Sequence, residues 1–147
     1  MSAEEILLSD NSQVEVAARL GGEFFIRGVE IVARAHGNDL LKGIIFTAIA
    51  VANSEAVPVL ASERERRPVS VMSIAGSIGI PYETTRRYVN LLVDEGLCTR
   101  MGRRGVVITE AALMRPAMLA AGLETYTSFN RLVAALRRAQ YAGLSST

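Results

Sequence analysis

The sequence predicts a mainly α-helical chain that carries one small β-hairpin. Three observations predict it. Half of the 147 residues are hydrophobic but only 5% are aromatic and none is Trp, so a core has to be built from Leu, Ile, Val and Ala. Apolar residues recur at intervals of three and four over most of the chain, the repeat that places them on one face of a helix. At one place the pattern changes: Leu97–Met101 and Val106–Ile108 read as two short strands around the tight turn Gly102-Arg103-Arg104-Gly105.

Residues 1–10 are mixed in character. A helix is expected over 12–36, with Val16, Leu20, Phe24, Val29, Ile31 and Val32 roughly at helical spacing. Gly21 and Gly22 each cost up to about 1 kcal/mol against Ala in a helix, so the pattern admits a kink there. Gly37 can take the left-handed position that ends this helix, and Asn38 can cap the next. That next helix, Asp39 to about Ser54, is apolar almost all round, which implies burial on most sides. Pro58 stops regular helix, and Ala61–Pro68 reads as an exposed, charged connector.

The most informative stretch follows. Ser70 can cap a short helix, Val71–Ile78, that Gly79 closes. Ile80 is the apolar residue of a tight turn, and Pro81 opens a second helix, Pro81–Glu95, where a missing N–H does no harm. Val89, Leu92 and Val93 of this helix point to a core, while Tyr82, Glu83, Arg86, Arg87 and Asn90 lie on its other side. Gly96 ends it and the hairpin begins. Thr109 can cap a further helix, with Glu110 in its first turn. Pro116 predicts a break or kink and Gly122 a second weak point. From Leu123 to about Tyr141, Phe129, Leu132, Val133 and Leu136 again recur at three and four.

Composition narrows the classes of function. The net charge is +1, so partners have to be read from the distribution of charge and not from its sum. Lys42 is the single lysine beside fifteen arginines, eight of which fall between Arg64 and Arg104. Cys98 stands alone, so no intrachain disulfide can form; it is expected as a buried thiol, a redox sensor being the alternative if Arg100 lowers its pKa. His36 has no second His or Cys nearby in sequence, which favours packing or capping over metal binding. No Ser-His-Asp set, carboxylate pair or phosphate loop is visible, so no enzyme and no cofactor is expected. Glu4 and Glu5 precede Ile6, unlike a signal peptide, and Leu40–Ala52 is too short for a bilayer that needs about 20 residues. A cytoplasmic protein without membrane contact is the expectation.

The helix over 81–95 has what a major-groove reader requires. A helix about 10–12 Å across fits that groove, provided an apolar stripe holds it on its partner and a polar stripe faces outward. Arg86 and Arg87 can pair with guanine edges or grip phosphates, Asn90 can pair with adenine, and Thr84 or Tyr82 can reach a phosphate or a thymine methyl. Glu83 can accept from cytosine or simply complement the helix dipole, the reading we favour. The glycines around Arg103 and Arg104 let both guanidinium groups project from the turn, where they can enter a minor groove, and Arg100 can contact the DNA backbone.

Residues 74–109, IAGSIGIPYETTRRYVNLLVDEGLCTRMGRRGVVIT, resemble the winged helix-turn-helix of bacterial transcriptional regulators. The resemblance rests on Ile74-Ala75, Ile78-Gly79-Ile80, Thr84-Thr85-Arg86-Arg87, Glu95-Gly96-Leu97, the wing-tip pair Arg103-Arg104, and Thr109. Thr85 departs from it by standing where an apolar β-branched residue is usual, and Pro81 by replacing a capping hydroxyl. The layout, with long helices before and after the motif, is similar to MarR-like regulators. It implies an N-terminal dimerisation helix (1–37), a winged helix-turn-helix domain (38–109) and C-terminal dimerisation helices (110–147). It further implies a homodimer with recognition helices about 34 Å apart over a pseudo-palindromic double-stranded site. A small-molecule effector between the helices and the winged domain would fit this layout, although no residue specifies one. Two rivals stay open: a winged helix used for protein–protein contact, and a DNA-binding replication or partition protein.

Overall fold

The computed structural model describes residues 2–5, 11–55 and 62–144; the expected break at Pro58 and the start of the connector at Ala61 lie outside them. It is mainly helical with one two-stranded antiparallel sheet. In order come α1 (Asn11–Ala35), α2 (Leu40–Ser54), α3 (Val71–Ile78), α4 (Tyr82–Asp94), β1 (Cys98–Arg100), β2 (Val106–Ile108), α5 (Glu110–Leu113) and α6 (Pro116–Arg138), then a 3-10 turn at Ala142–Leu144. No helix among the described residues is long and apolar enough to cross a membrane. Two compact units divide the chain: Val32–Ala121, and Met1–Ile31 with Gly122–Thr147.

In the Val32–Ala121 unit, α2 is the central core helix, packed against α3, α4 and β2. Ile45 and Ile49 of α2 meet Ile74, Val89, Leu92, Val106 and Ile108 in one buried cluster. Side-chain and backbone caps set where each helix starts and stops. Asp39 accepts from the Lys42 N–H at 3.1 Å and so caps α2. The expected cap, Asn38, instead shares the left-handed region with Gly37, at φ 65° and 66°. Asn tolerates this conformation, and the extra residue in the turn passes the capping role to the carboxylate beside it. Ser70 caps α3 by accepting from the Ser73 N–H at 3.1 Å, and Gly79 ends it at φ 68°. Pro81, expected as the first residue of α4, sits just outside it with extended ψ and makes no side-chain cap.

β1 pairs with β2 through Cys98 with Ile108, Thr99 with Val107 and Arg100 with Val106. Val69 adds an antiparallel bridge on the other edge of β2, with hydrogen bonds of 3.1 and 2.9 Å to Val106. This bridge requires Gly105: a Cβ there, at φ 127°, would stand 2.2 Å from the Val69 carbonyl oxygen.

The connector departs from the exposed loop expected. Arg66 is buried, and residues 62–66 form a turn in which the Glu65 carboxylate accepts the Ser62 N–H and the Ser62 carbonyl accepts the Glu65 N–H. Glu63 and Glu110 then bind reciprocally, each carboxylate accepting the other's backbone N–H, at 2.6 and 3.3 Å. A charge-rich segment lies down here because its carboxylates find backbone donors, which composition does not reveal.

In the other unit α1 runs unbroken through Gly21 and Gly22, and α6 runs unbroken through Gly122. Leu20 and Ile31 are buried, and Phe24 meets Phe129 edge-on with ring centroids 6.1 Å apart. Pro116 begins α6, and the expected interruption falls between Leu113 and Pro116.

Candidate nucleic-acid interface

Helix α4 is fixed on its inner face and left open on its outer one. Val89, Leu92 and Thr85 are fully buried. Thr85 answers the departure noted from sequence: its hydroxyl donates to the Pro81 carbonyl at 3.1 Å, which leaves its methyl to face the core. Three further contacts hold the helix. Tyr88 donates to Asp39 at 3.4 Å, Lys42 pairs with Glu95 at 2.5 Å, and Arg115 donates to the Glu95 carbonyl at 2.7 Å. None of these three anchors stands out in sequence, because each partner lies far along the chain from its mate.

The outward stripe carries Tyr82, Glu83, Arg86 and Arg87, all exposed, with Thr84 and Asn90 half-buried at its margins. Arg87 has a solvent-facing guanidinium. Arg86 is engaged: its Nε and Nη2 donate to one Glu83 oxygen at 3.1 and 3.0 Å. That hydrogen bond, more than the charge of Glu83, raises the Arg86 pKa. Glu83 therefore orients Arg86 and partly neutralises it, besides standing at the helix N-terminus. Asn90 is engaged as well, since Arg100 Nη2 donates to its Oδ1. Arg100 thus reaches from β1 to α4 and couples hairpin to helix. At the turn, Met101 N–H donates to the Gly105 carbonyl at 2.8 Å, and both Arg103 and Arg104 are exposed.

Cys98 is buried on β1, and burial pushes its thiol pKa up to about 12. Arg100 points to Asn90 and does nothing to lower it, so the geometry opposes the redox-sensor alternative. His36 is buried with its ring 4.9 Å from Phe46, in the packing role expected.

Sequence reading missed Asn53. It is fully buried near the end of α2, donates to the carbonyls of Arg67 and Val106 at 2.6 and 3.2 Å, and accepts from the Ile108 N–H at 2.9 Å. It fastens connector, hairpin and core helix together, and so sets where the Arg-tipped turn stands. A lone amide in an apolar helix was the available signal. No protein-family model, curated protein or solved structure matches the chain.

Proposed function

We propose that the Val32–Ala121 unit is a winged helix-turn-helix and that the protein is a sequence-specific, homodimeric DNA-binding regulator of transcription, with no catalytic role. In this reading α4 enters the major groove and the Gly102–Gly105 turn meets the minor groove or the backbone. One observation carries it: α3 and α4 are joined by the short turn Gly79–Pro81, and α4 buries one face while presenting Tyr82, Arg86 and Arg87 on the other. Arg103 and Arg104 on the hairpin of the same unit supply a second basic contact.

Each polar residue then takes a role. Arg87 is ready to meet a guanine edge or a phosphate. Arg86 has to exchange Glu83 for DNA, so Glu83 holds affinity down and penalises contacts that do not repay the exchange. Asn90 and Arg100 act as a pair, and an adenine contact by Asn90 uses the amide nitrogen that Arg100 leaves free. Arg103 and Arg104 add phosphate or minor-groove contacts that steepen the dependence on salt.

Selection from a random DNA pool near physiological salt tests this, with the Arg86→Ala, Arg87→Ala double variant as control. The expected result is a two-fold symmetric motif that the variant fails to enrich. Glu83→Gln should tighten binding several-fold while broadening the motif. If the folded protein enriches nothing and shows no salt-dependent binding to duplex DNA, the reading is wrong, and an acidic protein partner becomes the better account of the same arginines.

A further inference from the structure

The Met1–Ile31 and Gly122–Thr147 unit contains a groove that the DNA-binding reading does not use. It encloses about 280 Å³ between α1 and α6. Its apolar surface comes from Leu20 and Phe24 on one helix and Leu132 on the other. Arg27, Arg131 and Arg138 share its wall. The single carboxylate there, Glu23, is already held by Arg19 at 3.5 Å, and none of the three groove arginines is paired with a carboxylate among the described residues. A second cavity of about 250 Å³ also has Arg27, Ser128 and Arg131 in its wall, together with Glu124, so the two hollows adjoin along the residues they share.

Arg27, Arg131 and Arg138 are exposed along this groove, and each guanidinium is a fork of donors suited to a carboxylate or a phosphate. A purely inorganic anion would leave the Leu20, Phe24 and Leu132 surface uncovered. A hollow of this size has room for an acyl chain or a ring system of modest size. The edge-on contact of Phe24 with Phe129 fixes the spacing of the two helices where the groove lies.

We propose that this groove binds a small organic anion, its acidic group held by Arg27 and Arg131 and its apolar body lying along Leu20, Phe24 and Leu132. Arg138 adds a third positive charge at the α6 side. The proposal stands apart from the DNA-binding reading and does not require it.

Octanoate serves as the probe, titrated calorimetrically into the 147-residue chain, with octan-1-ol as a neutral molecule of the same chain length and inorganic phosphate as an anion without an apolar body. The expected result is one octanoate per chain, with octanol and phosphate each at least about tenfold weaker, a difference of about 1.4 kcal/mol. Arg27→Gln with Arg131→Gln should cost octanoate at least as much, while Arg27→Lys with Arg131→Lys recovers part of the loss. These side chains are exposed, so helicity by circular dichroism should match the parent protein. Equal binding of octanol and octanoate would overturn the proposal in favour of general apolar stickiness. So would undiminished octanoate binding by the Gln double variant, or the absence of binding at millimolar octanoate.

Discussion

The sharpest consequences at the level of single residues concern two buried polar side chains, Asn53 and His36. Asn53 donates to the Arg67 carbonyl and to the Val106 carbonyl, which the Val69 N–H also reaches, and it accepts the buried Ile108 N–H. Asn53→Ala should therefore cost about 2–4 kcal/mol in urea unfolding, well beyond the loss of a few methylene contacts. Asn53→Asp should be at least as damaging, because a carboxylate accepts the Ile108 N–H but cannot donate to Arg67 and Val106. His36 acts through pH. Burial holds its pKa below the ordinary 6.5, the Lys42 charge pushes the same way, and Glu95 and Asp39 oppose both. The unfolded chain therefore takes up the proton first. The stability contribution of His36 is complete above pH 6.5 and is lost as pH falls from there toward the lower folded-state pKa. Urea midpoints at pH 7.5 and 5.5 should show this loss in the parent, and His36→Met should flatten the difference; an equal fall in both would assign it to other groups. Much of the residue-level picture was legible beforehand. Ser70, Gly79 and Thr109 cap where their chemistry says they should, since a cap is a local event. Asn53, Lys42–Glu95 and Glu63–Glu110 were not legible, because partners dozens of positions apart leave no trace in local spacing.

Among the elements, the hairpin depends most on a single backbone position. Gly102 and Gly105 both have positive φ, but a side chain at Gly102 meets only open space, whereas one at Gly105 strikes the Val69 backbone. Gly102→Ala should cost about 1–2 kcal/mol, the ordinary penalty for a left-handed Ala. Gly105→Ala should cost more, about 3 kcal/mol or above, because the Val69–Val106 bridge has to open as well. Urea unfolding of both variants checks the order, and reversed magnitudes would mean that the bridge contributes little. The long helices teach a different lesson. The sequence admits a kink at Gly21 and Gly22, yet α1 is continuous there. Their cost of about 1 kcal/mol each is small against the packing of Leu20 and Phe24 on either side, and tertiary burial overrides propensity. The boundaries of α3, β1 and β2 fell close to their expected places because glycine, proline and a capping hydroxyl mark them. The left-handed Asn38, which shifts the α2 cap by one residue, has no such mark.

At the scale of the molecule, α6 carries a row of exposed apolar side chains among the described residues. This helix has 23 residues and not one is buried. Leu119, Leu123, Tyr126 and Phe129 recur at intervals of three and four, and each is more than half exposed. Such spacing lines one face, the arrangement that seats a helix against another helix. Phe25 and Ile26 of α1, both 66% exposed, add to the apolar surface. Exposed apolar area is unfavourable by about 25 cal/mol per Å², and a stable interface covers about 800 Å² per partner, a size these side chains can nucleate. The proposed DNA-binding function adds a reason for a two-fold assembly through α6, since under that proposal each copy would read half of a symmetric site. Sedimentation at micromolar concentration should therefore give twice the chain mass. Leu123→Glu with Phe129→Glu should give a monomer, because two carboxylates per chain would have to enter an apolar seam. Because Phe129 also meets Phe24 edge-on, Leu123→Glu with Tyr126→Glu, which leaves that contact intact, should give the monomer as well and keep its helicity. Under the proposed function either variant loses at least tenfold in affinity for a full site, about 1.4 kcal/mol, and little for a half-site. A parent protein that sediments as a monomer would remove the dimer and the two-fold operator together, and would restrict the proposed function to a single, asymmetric site.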